Sequence, residues 1–508
     1  MKKILITIEP WEKRIAVTRD DELENVYFSS STDNVIERSF FKGVVSKVFS
    51  GIQTAFVDIG QERAGFLHIS EVDRELMIHK IDGADQLDIM KEQEEGDGEQ
   101  TKYRSAKDIG TLFKEGEEIL VQVSKEPIGE KGAKLTTCFT LPGRFIVLMP
   151  NVGRICISKK IGDAQERARL KEIIEKHLPA GMGAIVRTSS EDATEQEIYT
   201  DINFLLNDWK EILDRYTKAS AKTKIYEDLD LPIQVVRDHL DKDIEMIITD
   251  NKQNQDQLYQ YLKNVAPEFR YKVLLYEESK NLFDHFNISK QIERALCAKV
   301  FLKSGGSIVI ESTEAMTSID VNTGRFTGKK DLEDTILKTN MEAAKEIVRQ
   351  LRLRNIGGLI VIDFIDMNDL KNRQKLVESF EQALKKYDKF QSVVLAVSEF
   401  GLVQMTRKRS GKTLSHQLTK ECEQCHGHGR IKSIKTESYE ILRRVAQEMA
   451  LFKNSKSVTV KVHPDIFDFI ASIEYDSILN FEQKHGFDVV FQSQLDFAVN
   501  QYKIETTK

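Results

Sequence analysis

Two acidic residues, Asp320 and Asp363, end two apolar segments with the composition of strands. The first segment, 316–322, reads Met-Thr-Ser-Ile-Asp-Val-Asn, and the second, 358–363, reads Gly-Leu-Ile-Val-Ile-Asp. An ionised carboxylate in so apolar a setting costs free energy unless it is paired, and a divalent cation is a strong partner. Asn322 lies two residues beyond Asp320 and can orient a carboxylate or a phosphate through its amide. These residues predict a magnesium site held by Asp320 and Asp363.

The segment between the two carboxylates must position them. Residues 331–353 carry apolar side chains at near-helical spacing, which predicts a long amphipathic helix. A strand–helix–strand crossover returns the second strand parallel to the first, so both strand ends meet at one edge of a sheet. Acids at strand ends also cap turns or join structural networks, and the residues alone leave that alternative open. Asp366 is a candidate second partner of Asp363.

Cys422 and Cys425 have the spacing of zinc ligands, but two thiolates are half of a tetrahedral site. Three completions are open: His426 or His428 locally, a distant histidine, or the same pair from a second chain across a two-fold axis. A redox dithiol is disfavoured, because the pair lies in a polar linker rather than at the start of a helix. We interpret the other three cysteines as small buried hydrophobic residues. They are Cys138, Cys156 and Cys297.

Residues 40–137 contain short strands separated by glycine turns, which is typical of a small OB-type barrel. Phe56 and Phe66 lie in two of these strands and can stack on exposed nucleobases. The alternative is that both rings fill the interior of the barrel. Lys131 stands beside a glycine turn, where it can contact a phosphate or be solvated.

Size and composition restrict the class of protein. A chain of 508 residues with 40% hydrophobic and 31% charged residues indicates several folded domains. No apolar run approaches the length of a membrane span, and the apolar start ends at Glu9 and Pro10, so we expect a cytoplasmic location. The stretch 82–100 carries a local charge of −7, which equals the net charge of the whole chain. The rest of the chain is therefore neutral overall, so the negative net charge does not exclude a nucleic-acid partner.

Several long segments resemble the ribonuclease E/G family, and together they cover nearly the whole chain. The resemblance is carried by these sequences: TAFVDIG, GFLHIS, LMPN, AIVRT, SGGSIVIESTEAMTSIDVNTG, NMEAAKEIVRQLRLRNIGGLIVIDFIDM and FGLVQMTRKR. Because the sequence has no long scaffold extension like that of ribonuclease E, we expect the ribonuclease G branch of the family.

The resemblance implies an α/β multidomain protein with a fixed order of domains. These are an RNase H-like domain (1–38 and 233–296), an OB-fold RNA-binding domain with the acidic insertion (39–137), a 5′-end sensor (138–232), a DNase I-like catalytic domain (297–418), a zinc link (419–430) and a small α/β oligomerisation domain (431–508). It further implies a magnesium-dependent endoribonuclease that cuts single-stranded RNA into products with 5′-phosphate and 3′-hydroxyl ends. A 5′-monophosphate on the RNA would stimulate cleavage.

The resemblance also assigns roles to individual residues. The catalytic residues are Asp320, Asn322 and Asp363, of which the two aspartates hold magnesium. The zinc ligands are Cys422 and Cys425, shared between the protomers of a homodimer that would pair into a homotetramer. The RNA-binding residues are Phe56, Phe66 and Lys131, and the 5′-phosphate pocket consists of Gly143, Val147, Arg187 and Thr188. One departure is Lys159, which stands where relatives commonly have arginine.

Two rival functions use the same features. A non-catalytic RNA-binding or ribosome-assembly factor would need the barrel surface but no metal site at Asp320 and Asp363. A phosphodiesterase acting on DNA would need the metal site, although the sensor and the barrel favour RNA.

Overall fold

The computed structural model describes residues 1–32, 35–73, 108–127, 131–323, 332–451, 457–486 and 488–507. The acidic stretch 82–100 lies outside the described residues. The chain divides into two compact units, Met1–Ser415 and His416–Lys508. None of the helices in the described ranges is long and apolar enough to cross a membrane. The mixed α/β, multidomain architecture expected from the sequence is confirmed.

Strands are distributed along both units. In chain order they are β1 (Lys2–Ile8), β2 (Glu12–Arg19), β3 (Glu22–Ser30), β4 (Phe40–Phe49), β5 (Thr54–Asp58), β6 (Gly65–His68), β7 (Glu118–Lys125), β8 (Lys134–Thr136), β9 (Leu141–Pro142), β10 (Ile146–Met149), β11 (Ile155–Ile157), β12 (Gly183–Val186), β13 (Thr223–Tyr226), β14 (Ile244–Thr249), β15 (Val273–Leu275), β16 (Lys299–Phe301), β17 (Ser307–Ser312), β18 (Met316–Asn322), β19 (Gly358–Asp363), β20 (Ser392–Val394), β21 (Leu402–Arg407), β22 (Ser457–Val462), β23 (Asp488–Ser493) and β24 (Tyr502–Thr507).

Helices separate these strands. In chain order they are α1 (Ile109–Leu112), α2 (Ala164–His177), α3 (Glu195–Lys218), α4 (Leu231–His239), α5 (Lys252–Val265), α6 (Leu282–His285), α7 (Ile288–Leu296), α8 (Leu332–Leu353), α9 (Leu370–Tyr387), α10 (Leu414–Leu418), α11 (Ile434–Leu451), α12 (Pro464–Ile473) and α13 (Tyr475–His485). Helix α3 starts with a capping box, in which Thr194 and Glu197 satisfy each other's backbone N–H groups.

The first sheet has the order β15-β14-β1-β2-β3, so it joins the start of the chain to residues more than 200 positions later. Strand β1 is parallel to β14 and antiparallel to β2. The core between this sheet and helices α4 and α5 includes Ile4, Val17, Val236, Ile247 and Leu258. Chain segments more than 200 positions apart in the sequence therefore share one hydrophobic core.

The second sheet closes into a small barrel, as predicted. Its strands follow the order β4-β5-β6-β8-β7, and β7 pairs back with β4, while β13 adds to the free edge of β4. Apolar side chains fill its interior, among them Val45, Ala55, Val57, Leu67 and Leu135. A separate sheet with the order β11-β12-β10-β9 packs against α2 and α3.

The sheet that carries the two acidic residues has the order β16-β17-β18-β19-β21-β20. Helices α8 and α9 cover one face, where Ile319, Ile347, Ile360, Ile362 and Phe380 form the core. The predicted helix at 331–353 is confirmed as α8, within one residue. The opposite face stays open, because β18 alternates between exposed and buried side chains along its length.

The unit His416–Lys508 contains a three-stranded sheet with the order β23-β22-β24. Helices α11, α12 and α13 supply apolar side chains to its core, including Ile441, Val445, Ile466 and Ile470. The mixture of helices and strands expected at 431–508 is confirmed.

One interpretation from the sequence is wrong. Cys297 is exposed, and Cys138 and Cys156 are half-buried, so none of the three is a fully buried hydrophobic residue. Cys297 is the residue at which helix α7 ends, where the chain turns at the surface. The local sequence gave no sign of that helix end.

Candidate active site

Asp320 and Asp363 are direct cross-strand partners. Strands β18 and β19 run parallel, and their register pairs Met316 with Leu359 and Asp320 with Asp363. Aligned residues of a parallel pair point to the same face, and both carboxylates lie on the open face of the sheet. The crossover through α8 thus brings the two strand ends together, as the strand–helix–strand pattern predicted. The expectation that the two carboxylates lie in an apolar setting is wrong, because both are exposed.

Asn322 fixes one of the two carboxylates. Its Nδ2 donates a hydrogen bond of 2.7 Å to Asp320 Oδ2. The pKa of Asp363 is raised by partial burial and then by the negative charges of Asp320 and Asp366. The two carboxylates therefore repel each other, and one of them is already held in a fixed orientation. A cation bound between them would relieve that repulsion.

The donor set suits magnesium better than zinc or calcium. Among the described residues, no three His, Cys, Asp or Glu side chains gather as a complete metal cage. Magnesium is commonly held by one or two carboxylates and keeps several waters, whereas calcium takes 6–8 oxygen ligands and zinc prefers nitrogen and sulfur. A pair such as Asp320 and Asp363, with Asn322 beside it, fits magnesium.

The predicted 5′-phosphate residues gather around the end of strand β12. Arg187 Nη1 donates a hydrogen bond of 2.6 Å to the Gly143 carbonyl oxygen. Val147 on β10 pairs with Ile185 on β12, and Ile185 is two residues before Arg187. Thr188 is exposed and its hydroxyl lies 3.2 Å from that of Ser158. The structure therefore brings Gly143, Val147, Arg187 and Thr188 to one locality.

Two acidic residues that the sequence did not reveal support this locality. Asp201, fully buried on α3, accepts hydrogen bonds of 3.0, 2.8 and 3.2 Å from the backbone N–H groups of Arg144, Phe145 and Ile146. Burial nevertheless raises its pKa. Asp238, on α4, accepts a hydrogen bond of 2.9 Å from Arg187 Nη1. No sequence motif marks either residue, because each acts on a segment more than 40 positions away.

Asp238 also borders a polar junction around the buried His239. Lys389 Nζ donates a hydrogen bond of 2.7 Å to the Asp238 carbonyl oxygen and lies 3.3 Å from His239 Nε2. The Tyr27 hydroxyl lies 2.8 Å from the same histidine nitrogen. Residue 389 follows helix α9, which packs on the sheet that carries Asp363, so this junction connects that region to Asp238 and its partner Arg187.

Phe56 and Phe66 lie opposite each other on β5 and β6 of the barrel. Both are half-buried on the outer surface, while Ala55, Val57 and Leu67 point inward. The alternative that these two rings fill the barrel is therefore wrong. Lys131 is exposed near the same sheet.

Cys422 and Cys425 lie in a tight turn of the second unit. The Cys422 carbonyl oxygen accepts a 2.8 Å hydrogen bond from the His426 N–H, and Cys425 Sγ accepts one of 3.3 Å from the Gly429 N–H. Hydrogen bonds from the backbone N–H groups of Cys425 and Gln424 lower the pKa of Cys422, which favours the thiolate. Neither His426 nor His428 joins the two cysteines as a third ligand among the described residues.

Family models match most of the chain. The model of the Ribonuclease E/G family matches residues 140–410, and that of the "RNase E/G, Thioredoxin-like domain" matches residues 421–507.

Relatives named Ribonuclease G match over nearly their full length, and a ribonuclease E matches over half of its own. A protein named Ribonuclease G from Haemophilus influenzae is 39% identical over 477 residues, which is 94% of this chain and 93% of the relative. Ribonuclease G from Escherichia coli is 36% identical over 502 residues, 99% of both chains. Ribonuclease E from Haemophilus influenzae is 35% identical over 96% of this chain but only 50% of its own length.

The fold, the paired carboxylates and these matches define a ribonuclease, a hydrolase that acts on RNA. The chain belongs to the ribonuclease E/G family.

Proposed function

We propose that this protein is a magnesium-dependent endoribonuclease that cleaves single-stranded RNA and leaves 5′-phosphate and 3′-hydroxyl ends. The observation that carries the proposal is the in-register pair of Asp320 and Asp363, with Asn322 bonded to Asp320. Relatives over nearly the full length are named Ribonuclease G, which supports an endonuclease in RNA processing. Precursors of ribosomal and transfer RNA and messenger RNA are the candidate substrates.

Each residue of the site has a proposed task. Asp320 and Asp363 would hold magnesium, and Asn322 would keep the Asp320 carboxylate in its binding orientation. When bound, the ion would supply charge neutralisation at the scissile phosphate and activation of water. The open sheet face leaves room for an extended strand of RNA to reach both carboxylates.

Binding and regulation fall to other parts of the chain. Phe56, Phe66 and Lys131 would hold the single strand on the barrel, which we assign to the OB type. Arg187 and Thr188, with Gly143 and Val147 as the other wall, would bind a 5′-monophosphate, since guanidinium forms paired hydrogen bonds to phosphate oxygens. Cleavage would therefore be faster on RNA that carries this group.

We further propose that Cys422 and Cys425 bind one zinc ion together with the same pair of a second chain. Two thiolates per chain are half of a tetrahedral site, and the nearby histidines do not complete it among the described residues. The resulting homodimer would pair into a homotetramer and would act in the cytoplasm. RNase H-like and DNase I-like are our assignments for the first sheet and for the sheet that carries Asp363.

The proposal is tested by cleavage of a short AU-rich single-stranded RNA by the purified protein. Magnesium and chelator are compared, as are 5′-monophosphate and 5′-hydroxyl RNA, with Asp363→Asn as the inactive control. The matched control is Glu314→Gln, an exposed acid in the turn between strands β17 and β18. Magnesium-dependent cutting that Asp363→Asn loses and Glu314→Gln keeps is the expected result.

Tight RNA binding without cleavage under any condition would contradict the nuclease assignment. The protein would then be a non-catalytic RNA-binding factor, and Asp320 and Asp363 would be structural acids. Equal cleavage of the two RNA forms would contradict the sensor alone.

A further inference from the structure

A row of lysine and aromatic side chains crosses the outer surface of the barrel. Strand register places Lys47 opposite Phe56, Phe56 opposite Phe66, Phe66 beside Lys134 and Lys134 opposite Lys125. We call these five residues the outer row. Lys134 pairs with Glu71, and Lys47 and Lys125 are exposed. Two aromatic rings therefore lie between positive charges on both sides, a composition suited to nucleobases on a phosphate backbone.

Phe49 extends the outer row at the end of strand β4. It follows Lys47 by two residues, so both side chains project from the same face of the strand. The Phe49 residue is 46% exposed. The ring centroids of Phe49 and Phe56 are 5.6 Å apart, and the two planes are nearly perpendicular at 83°. The two rings thus meet edge to face, while much of the surface of Phe49 remains open to solvent.

We propose that Phe49 is a third base-stacking residue, which binds a nucleobase of single-stranded RNA next to the one on Phe56. The proposal rests on the proposed function, because it extends the surface assigned to RNA there. Lys47, which lies opposite Phe56 and two residues before Phe49, would contact the phosphate that links the two nucleotides. Since the rings are perpendicular, the strand would turn where it passes from Phe56 to Phe49.

The occupant is a base rather than an apolar protein segment because of the charges beside the ring. Lys47 on β4 and Lys125 on β7 place positive charge at both ends of the outer row, which favours a polyanion. Stacking needs only the π-face of a base, so this subsite would accept any nucleotide.

A structural role for the same pair of rings is the competing explanation. Edge-to-face aromatic pairs stabilise surfaces without any ligand. Two substitutions separate the roles: Phe49→Leu keeps an apolar contact with Phe56 but removes the π-face, and Phe49→Trp keeps a stacking face. Ile52→Ala is the matched control, because Ile52 is a 61% exposed apolar residue in the turn that directly follows Phe49.

The experiment measures binding of a 3′-fluorescein-labelled oligouridine of about 12 nucleotides, within the length that one OB barrel accommodates. The RNA carries a 5′-hydroxyl, so the Arg187 pocket is not engaged. All variants are made in the full chain with Asp363→Asn to prevent cleavage, and fluorescence anisotropy gives the Kd. Phe56→Ala is the positive control, and thermal unfolding confirms that each variant is folded.

We expect Phe49→Ala and Phe49→Leu to raise the Kd between about 5-fold and about 150-fold, the range for loss of one stacked base. Phe49→Trp and Ile52→Ala should bind like the parent. Weak binding by Phe56→Ala together with unchanged binding by Phe49→Leu would overturn the inference and leave the proposed function intact. Unchanged binding by both Phe56→Ala and Phe49→Ala would overturn the barrel surface as well. Equal losses in Phe49→Leu and Ile52→Ala would show a structural effect of the turn and would also overturn the inference.

Discussion

Arg187 donates a 2.9 Å hydrogen bond to Asp238 Oδ1, although the two residues are 51 positions apart in the sequence. The same guanidinium nitrogen holds the Gly143 carbonyl oxygen, so the arginine is fixed from two sides. Burial alone would raise the pKa of Asp238, but the positive charges of Arg237, Arg187 and Lys389 lower it to about 2. Asp238 is therefore ionised at neutral pH and is positioned to orient Arg187.

Asp238→Asn should reduce the preference for 5′-monophosphate RNA. The amide keeps the shape of the side chain but loses the charge that orients Arg187, so the cleavage ratio of 5′-monophosphate to 5′-hydroxyl RNA should fall about tenfold. Cleavage of 5′-hydroxyl RNA should stay unchanged. Asp243→Asn is the control, because Asp243 makes an ion pair of the same 2.9 Å length with Arg19 at the surface. Equal losses on both RNA forms would indicate a structural role for Asp238.

Asn322→Ala should weaken magnesium binding without abolishing activity. The amide of Asn322 holds Asp320 through the 2.7 Å hydrogen bond, and loss of such a supporting contact typically lowers metal affinity by about 10- to 100-fold. The magnesium concentration for half-maximal cleavage should rise by that factor, and saturating magnesium should restore most of the rate. Ser318→Ala, on the same exposed face of β18, should leave the titration unchanged. A defect that magnesium does not restore would place Asn322 in the chemical step instead.

Zinc content and oligomer mass test the zinc link. A site shared by two chains holds one zinc ion per two protomers, whereas a site completed by His426 or His428 would hold one per protomer. Elemental analysis combined with light scattering measures both quantities. Replacing both Cys422 and Cys425 with Ser should remove the zinc and lower the mass, while Cys297→Ser, at an exposed cysteine elsewhere, should change neither. An unchanged mass after loss of both cysteines would refute the zinc link.

Lys389, whose amine lies beside the buried His239, should make stability depend on pH in the alkaline range. The residue as a whole is exposed, but its amine end is desolvated by the groups packed around it. This desolvation, opposed by Asp238 and reinforced by the charges of Lys2, Arg187 and Arg352, lowers the pKa of Lys389 to about 7. An unfolded lysine titrates at about 10.4, so between these values the unfolded chain binds the additional proton. Between these two pKa values, Lys389 therefore makes the free energy of unfolding rise with pH. Below the lower value it does not change the pH dependence of the free energy of unfolding.

Lys389→Met removes this contribution, because methionine does not titrate. The urea midpoint of the variant should therefore rise less, or fall more, than that of the parent between about pH 7 and pH 9.5. Lys385→Met, at an exposed position on α9, should keep the slope of the parent. Identical slopes for the parent and Lys389→Met would show that Lys389 is not neutral in the folded protein.

Much of the architecture could be predicted because it follows from local pattern. Apolar spacing in 331–353 predicted α8, and strand-like composition predicted β18 and β19 on either side of it. A parallel crossover then left little freedom in where Asp320 and Asp363 could meet. The residue types of that pair, and the spacing of Cys422 and Cys425, were likewise visible in the sequence.

Other features depended on which segments pack together. Whether Phe56 points into the barrel or out of it depends on strand register, since a shift of one residue exchanges the two faces. The exposed cysteine at position 297 depends on where α7 ends. Neither could be derived from the residues alone.

The sequence by itself determined the strands, the long helix, the paired acids and the family. Only the tertiary structure decided that Asp238 holds Arg187, that Asp201 supports the turn at residues 144–146, and that Phe49 contacts Phe56. The physical reason is that periodicity and composition act over a few neighbouring residues. Contacts between distant segments arise when several elements bury their apolar faces together, and that packing places polar side chains beside partners that no local pattern identifies.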